Sequence, residues 1–248
     1  MLHTGLCINP HPAKKVKGGE DAAAISDNVV CLADGVGGWA ESGVDPAKFA
    51  RQFCANVDKR LEGDVDGAEY SKDPKRLLID AVEDTREVGS STAVIVSLDR
   101  DEQLLRTCNL GDSGYLLLRK NGLDLTSVFR SKEQTHGFNF PYQIGTGGDD
   151  PDKADTQVHE VEHNDIVVVG TDGLFDNLFD VRIIELIRPF IRGRDDVLDP
   201  GLVAEIIARE AEKFSRSPGY VSPFAKSARE QFYDYVGGKP DDITVALV

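Results

Sequence analysis

Cysteine is sparse in this chain: Cys7, Cys31, Cys54 and Cys108 stand far apart in 248 residues and form no CxxC pair. That excludes a zinc-ribbon pattern and a dense disulfide framework. Two of the four, Cys31 and Cys108, lie in apolar strand-like runs. Reduced thiols buried in a core, in an intracellular reducing compartment, are the expectation. The five histidines make no cluster with the cysteines, which disfavours zinc. No apolar run approaches the ~20 residues that span a bilayer, so no membrane insertion is expected. Basic residues are outnumbered, 28 Lys and Arg against 43 Asp and Glu, for a net charge of −15. Such a balance disfavours nonspecific binding to nucleic acid or anionic membranes. It permits crowded carboxylates, which need a metal or a cationic partner. The opening residues, MLHTGLCINPHPAKKVKGGED, follow the pattern of neither a signal peptide nor an Arg- and Ser-rich transit peptide. There is no internal repeat and no linker-like stretch, so residues 1–248 read as one monomeric domain. Residues 136–156, rich in Gly, Pro and Asp, are expected to form a surface loop or flap.

What is present is well punctuated. Asp45-Pro46, Asp73-Pro74 and Asp199-Pro200 are helix starts, with Asp as the capping acceptor and Pro in the first turn. After the first, Phe49, Phe53, Val57 and Leu61 recur every four residues as one apolar face. Further helices are expected over 180–191 and 223–236, the latter capped by Ser222. Strands are expected over 29–33, 92–98, 103–110, 114–119, 165–170 and 243–248, all short and apolar or β-branched. Several are apolar throughout, so both sheet faces should be covered. The runs 92–98, 103–110 and 114–119 follow one another through short turns and read as a meander. Helices arrive in groups between strands, so packed antiparallel sheets with helices outside are expected rather than a doubly wound parallel sheet.

Acids collect at the strand ends. Asp34 follows VVCLA, Asp112 follows LLRTCNLG, Asp172 follows DIVVVGT, and Asp241 and Asp242 precede ITVALV. Glu20 and Asp21 stand just ahead of the first of these strands. In antiparallel sheets the C-end of one strand adjoins the N-end of its neighbour, so Asp34, Asp172 and Asp241 are expected to converge on one edge. Carboxylates that gather raise one another's pKa, and a divalent cation resolves the conflict. An oxygen-only ligand set selects magnesium or manganese, and two such ions activate water for attack on a phosphate. Glycine beside Asp34 lets a backbone carbonyl approach an ion. Taken singly, each of Asp34, Asp112, Asp172 and Asp241 reads as a turn acid before it reads as a ligand, because Asp-Gly is a common turn signal; four in matching contexts shift the balance to ligands.

Six segments in order resemble the metal-dependent Ser/Thr protein phosphatases of the type 2C class. They are GGEDA (18–22), ADGVGG (33–38), GSSTAVIV (89–96), NLGDSGYLLLR (109–119), GTDGLFDNL (170–178) and KPDDITVALV (239–248). The resemblance implies an α+β fold, a four-layer α-β-β-α sandwich with two central antiparallel sheets. It implies two manganese or magnesium ions, with a weaker third. Asp34 would bridge two ions, with the Gly35 carbonyl on one of them and Asp172 and Asp241 on the other. These three acids would form the catalytic set. Glu20 would reach the Gly35-bound ion, Asp21 would be an acceptor behind the ligands, and Asp112 and Asp176 match the third position. The reaction implied is hydrolysis of phosphoserine and phosphothreonine in protein substrates by metal-activated water, with no phosphoenzyme. The segments PHPAKKVKGGEDA, DGVGGWAESGVDP and SKEQTHGFNFPYQIG resemble a small branch that includes mitochondrial and plastid phosphatases.

The sequence also departs from that pattern. Val36 stands where many members carry a His that is a candidate acid for the leaving group, so either another group or a metal-bound water supplies the proton; His136 is a substitute to consider or simply a surface His in the flap. A phosphate-binding Arg is replaced by Val16, flanked by Lys15 and Lys17, which are candidates for phosphate as point charges or simply a solvated basic turn. Trp39 either floors the site or fills the core. The intact acids favour an active enzyme. The missing His and Arg motivate two alternatives, a catalytically weak binding or regulatory module and a phosphatase of non-protein phosphoesters.

Overall fold

A computed structural model of the chain describes residues 2–63, 68–122, 124–193 and 197–248. In chain order the first elements are β1 (Gly5–Asn9), β2 (Asp21–Ile25), β3 (Val29–Asp34), α1 (Pro46–Gly63), α2 (Ala68–Lys72) and α3 (Pro74–Asp84). Then come β4 (Ser90–Ser91), β5 (Ala93–Asp99), β6 (Leu104–Leu110), β7 (Gly114–Asn121), β8 (Asp124–Arg130), β9 (Thr135–Gly137), β10 (Phe140–Pro141) and β11 (Ile144–Gly145). The last are β12 (Asp155–Glu160), β13 (Ile166–Gly170), α4 (Asp172–Phe175), α5 (Asp180–Ile191), α6 (Pro200–Ser215), α7 (Pro223–Glu230) and β14 (Ile243–Leu247). None of the described helices is long and apolar enough to cross a membrane.

The chain folds into two compact units, each assembled from separated segments. This is why no linker stands out in the sequence. The first unit holds Glu20–Gly114 and Lys132–Val161. Its antiparallel sheet runs β12-β6-β5-β3-β2. Cys31, Ala33, Ile95, Cys108 and Leu110 turn one face toward the helices. There Phe49, Phe53 and Val57 of α1 and Leu77, Leu78 and Ala81 of α3 close the core. Val30, Leu32, Val94 and Val96, on alternate positions, are fully buried too, as the continuous apolar runs require.

The second unit holds Thr4–Gly19, Tyr115–Ser131 and Glu162–Val248. Its sheet runs β1-β14-β13-β7-β8. Leu116, Leu118, Val168, Ile243, Val245 and Leu247 pack with Ile183 and Ile187 of α5 and with Val203, Ile207 and Ala211 of α6. Two antiparallel sheets with helices packed on them is the expected α+β class.

The helix starts are as the sequence predicts. Asp73 accepts from the Arg76 N–H, Asp199 from the Leu202 N–H and Ser222 from the Ala225 N–H. All four cysteines are free thiols, three of them buried.

Three expectations need correction. The meander stops after two strands: β5 pairs with β6, but β7 joins the other sheet beside β13 and β8. The chain leaves at Gly111, whose φ of +111° favours glycine and whose added Cβ would meet Thr92 Cγ2 and the Tyr142 carbonyl at 2.7 Å. The strand that flanks β6 is instead β12, whose DTQVHE sequence and alternating exposure mark a polar edge. The helix expected over 223–236 ends at Glu230, and Phe232 beyond it takes a left-handed φ of +65°. Residues 136–156 are more than a surface loop, since Ile144 of β11 is fully buried in the first core.

Truncating the central aromatic of α1, Phe53→Ala, is expected to cost about 3–5 kcal/mol through lost burial and a residual cavity. Urea unfolding checks this, and a loss under about 1 kcal/mol would mean the site collapses around the smaller side chain.

Candidate active site

Two groups of acids form, one in each unit. In the first, the pairing of β2 with β3 sets Asp21 directly opposite Asp34. Like charges in that position repel, so the register tolerates a cost at this strand end. The ladder continues one step, with the Gly35 N–H donating to the Glu20 carbonyl at 3.2 Å. Gly35 accepts no side chain, because a Cβ there would lie 2.5 Å from the Pro46 carbonyl oxygen and 2.8 Å from that of Glu20. The Glu20 carboxylate lies against Gly37, its Oε2 3.3 Å from where a Cβ would stand. Glu20, Asp21, Asp34 and Gly35 are therefore brought together.

The backbone of Asp34 is held on both sides by Thr92. Its N–H donates to Thr92 Oγ1 (3.2 Å) and its carbonyl accepts the Thr92 N–H (2.9 Å). Thr92 Oγ1 also meets Ser113 Oγ at 2.7 Å, which anchors the bend that carries Asp112. Asp112 itself is half-buried after β6. Val36 is half-buried as well, an apolar group where a histidine was sought. Trp39 is half-buried rather than part of the core, and its indole N–H donates to Ser90 Oγ at 2.6 Å.

In the second unit, Asp172 opens α4 at the end of β13, and Asp241 and Asp242 stand just before β14. β13 and β14 are antiparallel neighbours, and the Thr171 and Thr244 backbones tie their ends together. Asp172 and Asp241 are therefore adjacent. Asp34 does not share their sheet edge, because β3 pairs with β2 and β5 in the other sheet; Asp21 is what faces it.

Two lysines that sequence reasoning missed meet the acids of this second group. Lys239 places its Nζ 2.5 Å from Asp172 Oδ2 and 2.7 Å from Asp176 Oδ2. Lys14 reaches Asp241 Oδ1 at 3.1 Å and Asp242 Oδ2 at 3.4 Å. Asp242, fully enclosed, also accepts the His11 N–H at 2.6 Å. The buried amide of Asn177 fixes Lys239: its Nδ2 donates to the Lys239 carbonyl (2.8 Å) and its Oδ1 accepts the Lys239 N–H (2.9 Å). The signal for Lys239 in the sequence was its place two residues before Asp241; nothing marked Lys14 or Asn177.

The electrostatics follow from this crowding. Burial pushes the Asp241 carboxyl above its ordinary value and Asp172 pushes it further, while Lys14 and Lys239 pull it back only in part. Burial works against the Lys239 ammonium, but Asp172 and Asp176 outweigh it and hold the lysine well above its usual range. Among the described residues no three His, Cys, Asp or Glu side chains are gathered as a ready ion site. Even so, oxygen is the only donor type on offer, and Asp241 bears a cost that more positive charge would relieve. The set fits a hard divalent ion.

The remaining candidates are more peripheral. Lys15 and Lys17 are exposed on either side of a fully exposed Val16. His136 belongs to a local network in the first unit, with its Nε2 2.9 Å from Asp149 Oδ2 and its ring stacked on Tyr142 at 4.3 Å.

Comparison with known proteins matches the chain to one family. The family profile described as Stage II sporulation protein E (SpoIIE) matches residues 27–218. An Arabidopsis thaliana protein named Probable protein phosphatase 2C 55 is 38% identical over 250 residues, covering 99% of this chain and 51% of its own length. The chain thus spans about half of that relative. The Protein phosphatase PTC7 homolog of Xenopus laevis is 35% identical, covering 100% of this chain and 83% of its own. Among solved structures, the photosystem II phosphatase PBCP superposes with a TM-score of 0.85 at 32% identity, covering 98% of this chain and 96% of that one.

A carboxyl whose pKa is raised by folding takes up a proton as the chain folds. Stability therefore falls as pH rises from the unfolded value, near 3.9 for Asp, through the folded one. At neutral pH the Asp241 charge is then a net cost to the metal-free fold. Asp241→Asn keeps the Oδ1 acceptor and removes that charge. It is expected to raise the melting temperature measured in EDTA; an unchanged or lowered value would mean that the Lys14 pair outweighs burial and Asp172.

Proposed function

This chain belongs to the type 2C protein phosphatase family, and on that premise we propose that it hydrolyses phosphoserine and phosphothreonine esters in proteins with two manganese or magnesium ions. The observation that carries the reading is the adjacency of Asp172 and Asp241 at neighbouring strand ends, with Asp241 under a like-charge burden. Glu20, Asp34, the Gly35 carbonyl, Asp172 and Asp241 are the ligands in this proposal, with residues 1–248 acting as one monomeric catalytic domain. When bound, such ions acidify a water molecule and offset the charge of the phosphoryl oxygens.

The chain's own residues do the placing. Thr92 pins the Asp34 backbone at the strand end, which fixes the point from which its carboxylate reaches. Asp21, opposite Asp34 and buried, sets a second carboxyl beside it. Lys15 and Lys17 are retained as candidates for steering phosphate toward the acids, as exposed point charges. Val36 has no proton to give, and His136 is committed to Asp149 and Tyr142. The proton for the leaving alkoxide then comes from another group or from water at the ion site in this reading. An organellar setting, mitochondrial or plastid, belongs to the same proposal and is supported by the likeness to a photosystem II phosphatase.

A second reading, a catalytically weak binding module, is favoured by one observation. Lysine ammoniums already pair with Asp172 and Asp241. Hydrolysis of p-nitrophenyl phosphate and of phosphoserine and phosphothreonine peptides with manganese, against an EDTA control, separates the two. The phosphatase reading expects metal-dependent turnover that falls about 10²-fold or more in Asp34→Asn. Wild-type turnover at the EDTA level would favour the module. Loss of a general acid costs about 10²-fold or more, so His136→Ala is expected to leave kcat within about twofold of wild type. A larger loss would return His136 to the catalytic set.

A further inference from the structure

We propose that Lys239 is a built-in cation that withdraws Asp176 from metal binding. The inference rests on the metal-dependent reading above and concerns how many ions the second unit's acids admit. The resemblance to the type 2C class matched Asp176 to a weaker third ion, whereas the geometry gives Asp176 a different partner.

The Lys239 Nζ lies between the two carboxylates, at 2.5 Å from Asp172 Oδ2 and 2.7 Å from Asp176 Oδ2. Its side chain is 15% exposed, and its ammonium also sits 4.9 Å from the Phe224 ring centroid, a cation–π contact. An ion that claimed Asp176 would have to displace this buried ammonium from one of its two counter-charges and stand beside it as a like charge, which is costly. The backbone from which the ammonium reaches is fixed as well. Asn177, with no exposed surface, holds both the N–H and the carbonyl of Lys239, and its Nδ2 also donates to the Gly173 carbonyl at 2.9 Å. One amide thus ties the lysine to the helix turn that carries Asp172 and Asp176. The two acids are four residues apart on that turn, which brings their side chains to one side of it. A single ammonium satisfies both, at a fixed place, without the hydration shell that an incoming ion must shed.

The test is a manganese titration in which free Mn2+ is counted by electron paramagnetic resonance, with no substrate present. Lys239→Met keeps the length of the side chain and removes the charge. It is expected to bind one more Mn2+ per chain than wild type, at a weaker site, and adding Asp176→Asn to that variant is expected to abolish the extra ion. Lys239→Arg keeps the wild-type count. Asp176→Asn alone also keeps the wild-type count and affinity, an arm that holds even if Lys239→Met fails to fold. A Lys239→Met isotherm superimposable on wild type, or a Mn2+ site lost in Asp176→Asn alone, would overturn the inference while leaving the phosphatase reading intact. A wild type that binds no Mn2+ would overturn both.

Discussion

Carboxylates that must stand close together at strand ends set the terms for this molecule. Asp21 faces Asp34 across β2 and β3, and Asp172 adjoins Asp241 across the ends of β13 and β14. Neither arrangement is what packing alone would select, since like charges in such places repel and burial sharpens the repulsion. Positive charge has to be supplied. In the second unit part of it comes from the chain itself, as Lys14 and Lys239, yet Asp241 still carries an elevated pKa after both have acted. The residual demand is the physical basis for reading the site as a place for divalent cations.

Such a site persists only if the backbone beneath it cannot relax. Gly173, beside Asp172, lies so close to the following strand that a Cβ would sit 1.9 Å from the Asp242 carbonyl oxygen. Gly35, beside Asp34, is packed almost as closely against the Pro46 and Glu20 carbonyls. In each unit, then, a glycine next to an acid allows close approach of two backbones, and the helices behind the sheet hold that approach in place. The Thr92 contacts to Asp34 and the Thr171–Thr244 contacts beside Asp172 serve the same end with hydroxyl groups. Charge repulsion stored at a strand end is the kind of local cost that proteins keep where function needs it.

Much of this was legible in the sequence because the signals are local. An apolar run that ends in Asp-Gly announces both the strand and the acid, and Asp34 and Asp172 were found that way. Asp-Pro pairs marked three helices for the same reason. The polar edge strand β12 was not legible, because DTQVHE carries neither an apolar run nor β-branched density. The departure of β7 to the second sheet was hidden too. A short turn between two apolar strands looks like a hairpin until the left-handed backbone of Gly111 redirects the chain.

The cations were the hardest to see, and the reason is physical. A carboxylate at a strand end is placed by its own strand, so its neighbours in sequence betray it. A lysine that serves such a carboxylate is placed by the partner it reaches, and Lys239 lies 67 residues from Asp172 while Lys14 lies 227 from Asp241. Neither lysine falls on a helical face or an alternating strand, so no periodicity reports it. In a chain with a net charge of −15, an ammonium held among the acids, as Lys239 is, carries more weight than its place in the sequence suggests. It decides which of the many carboxylates are already neutralised and which still call for an ion. The acid motifs therefore name the candidates for metal binding, and the lysines beside them mark which acids already hold a counter-charge.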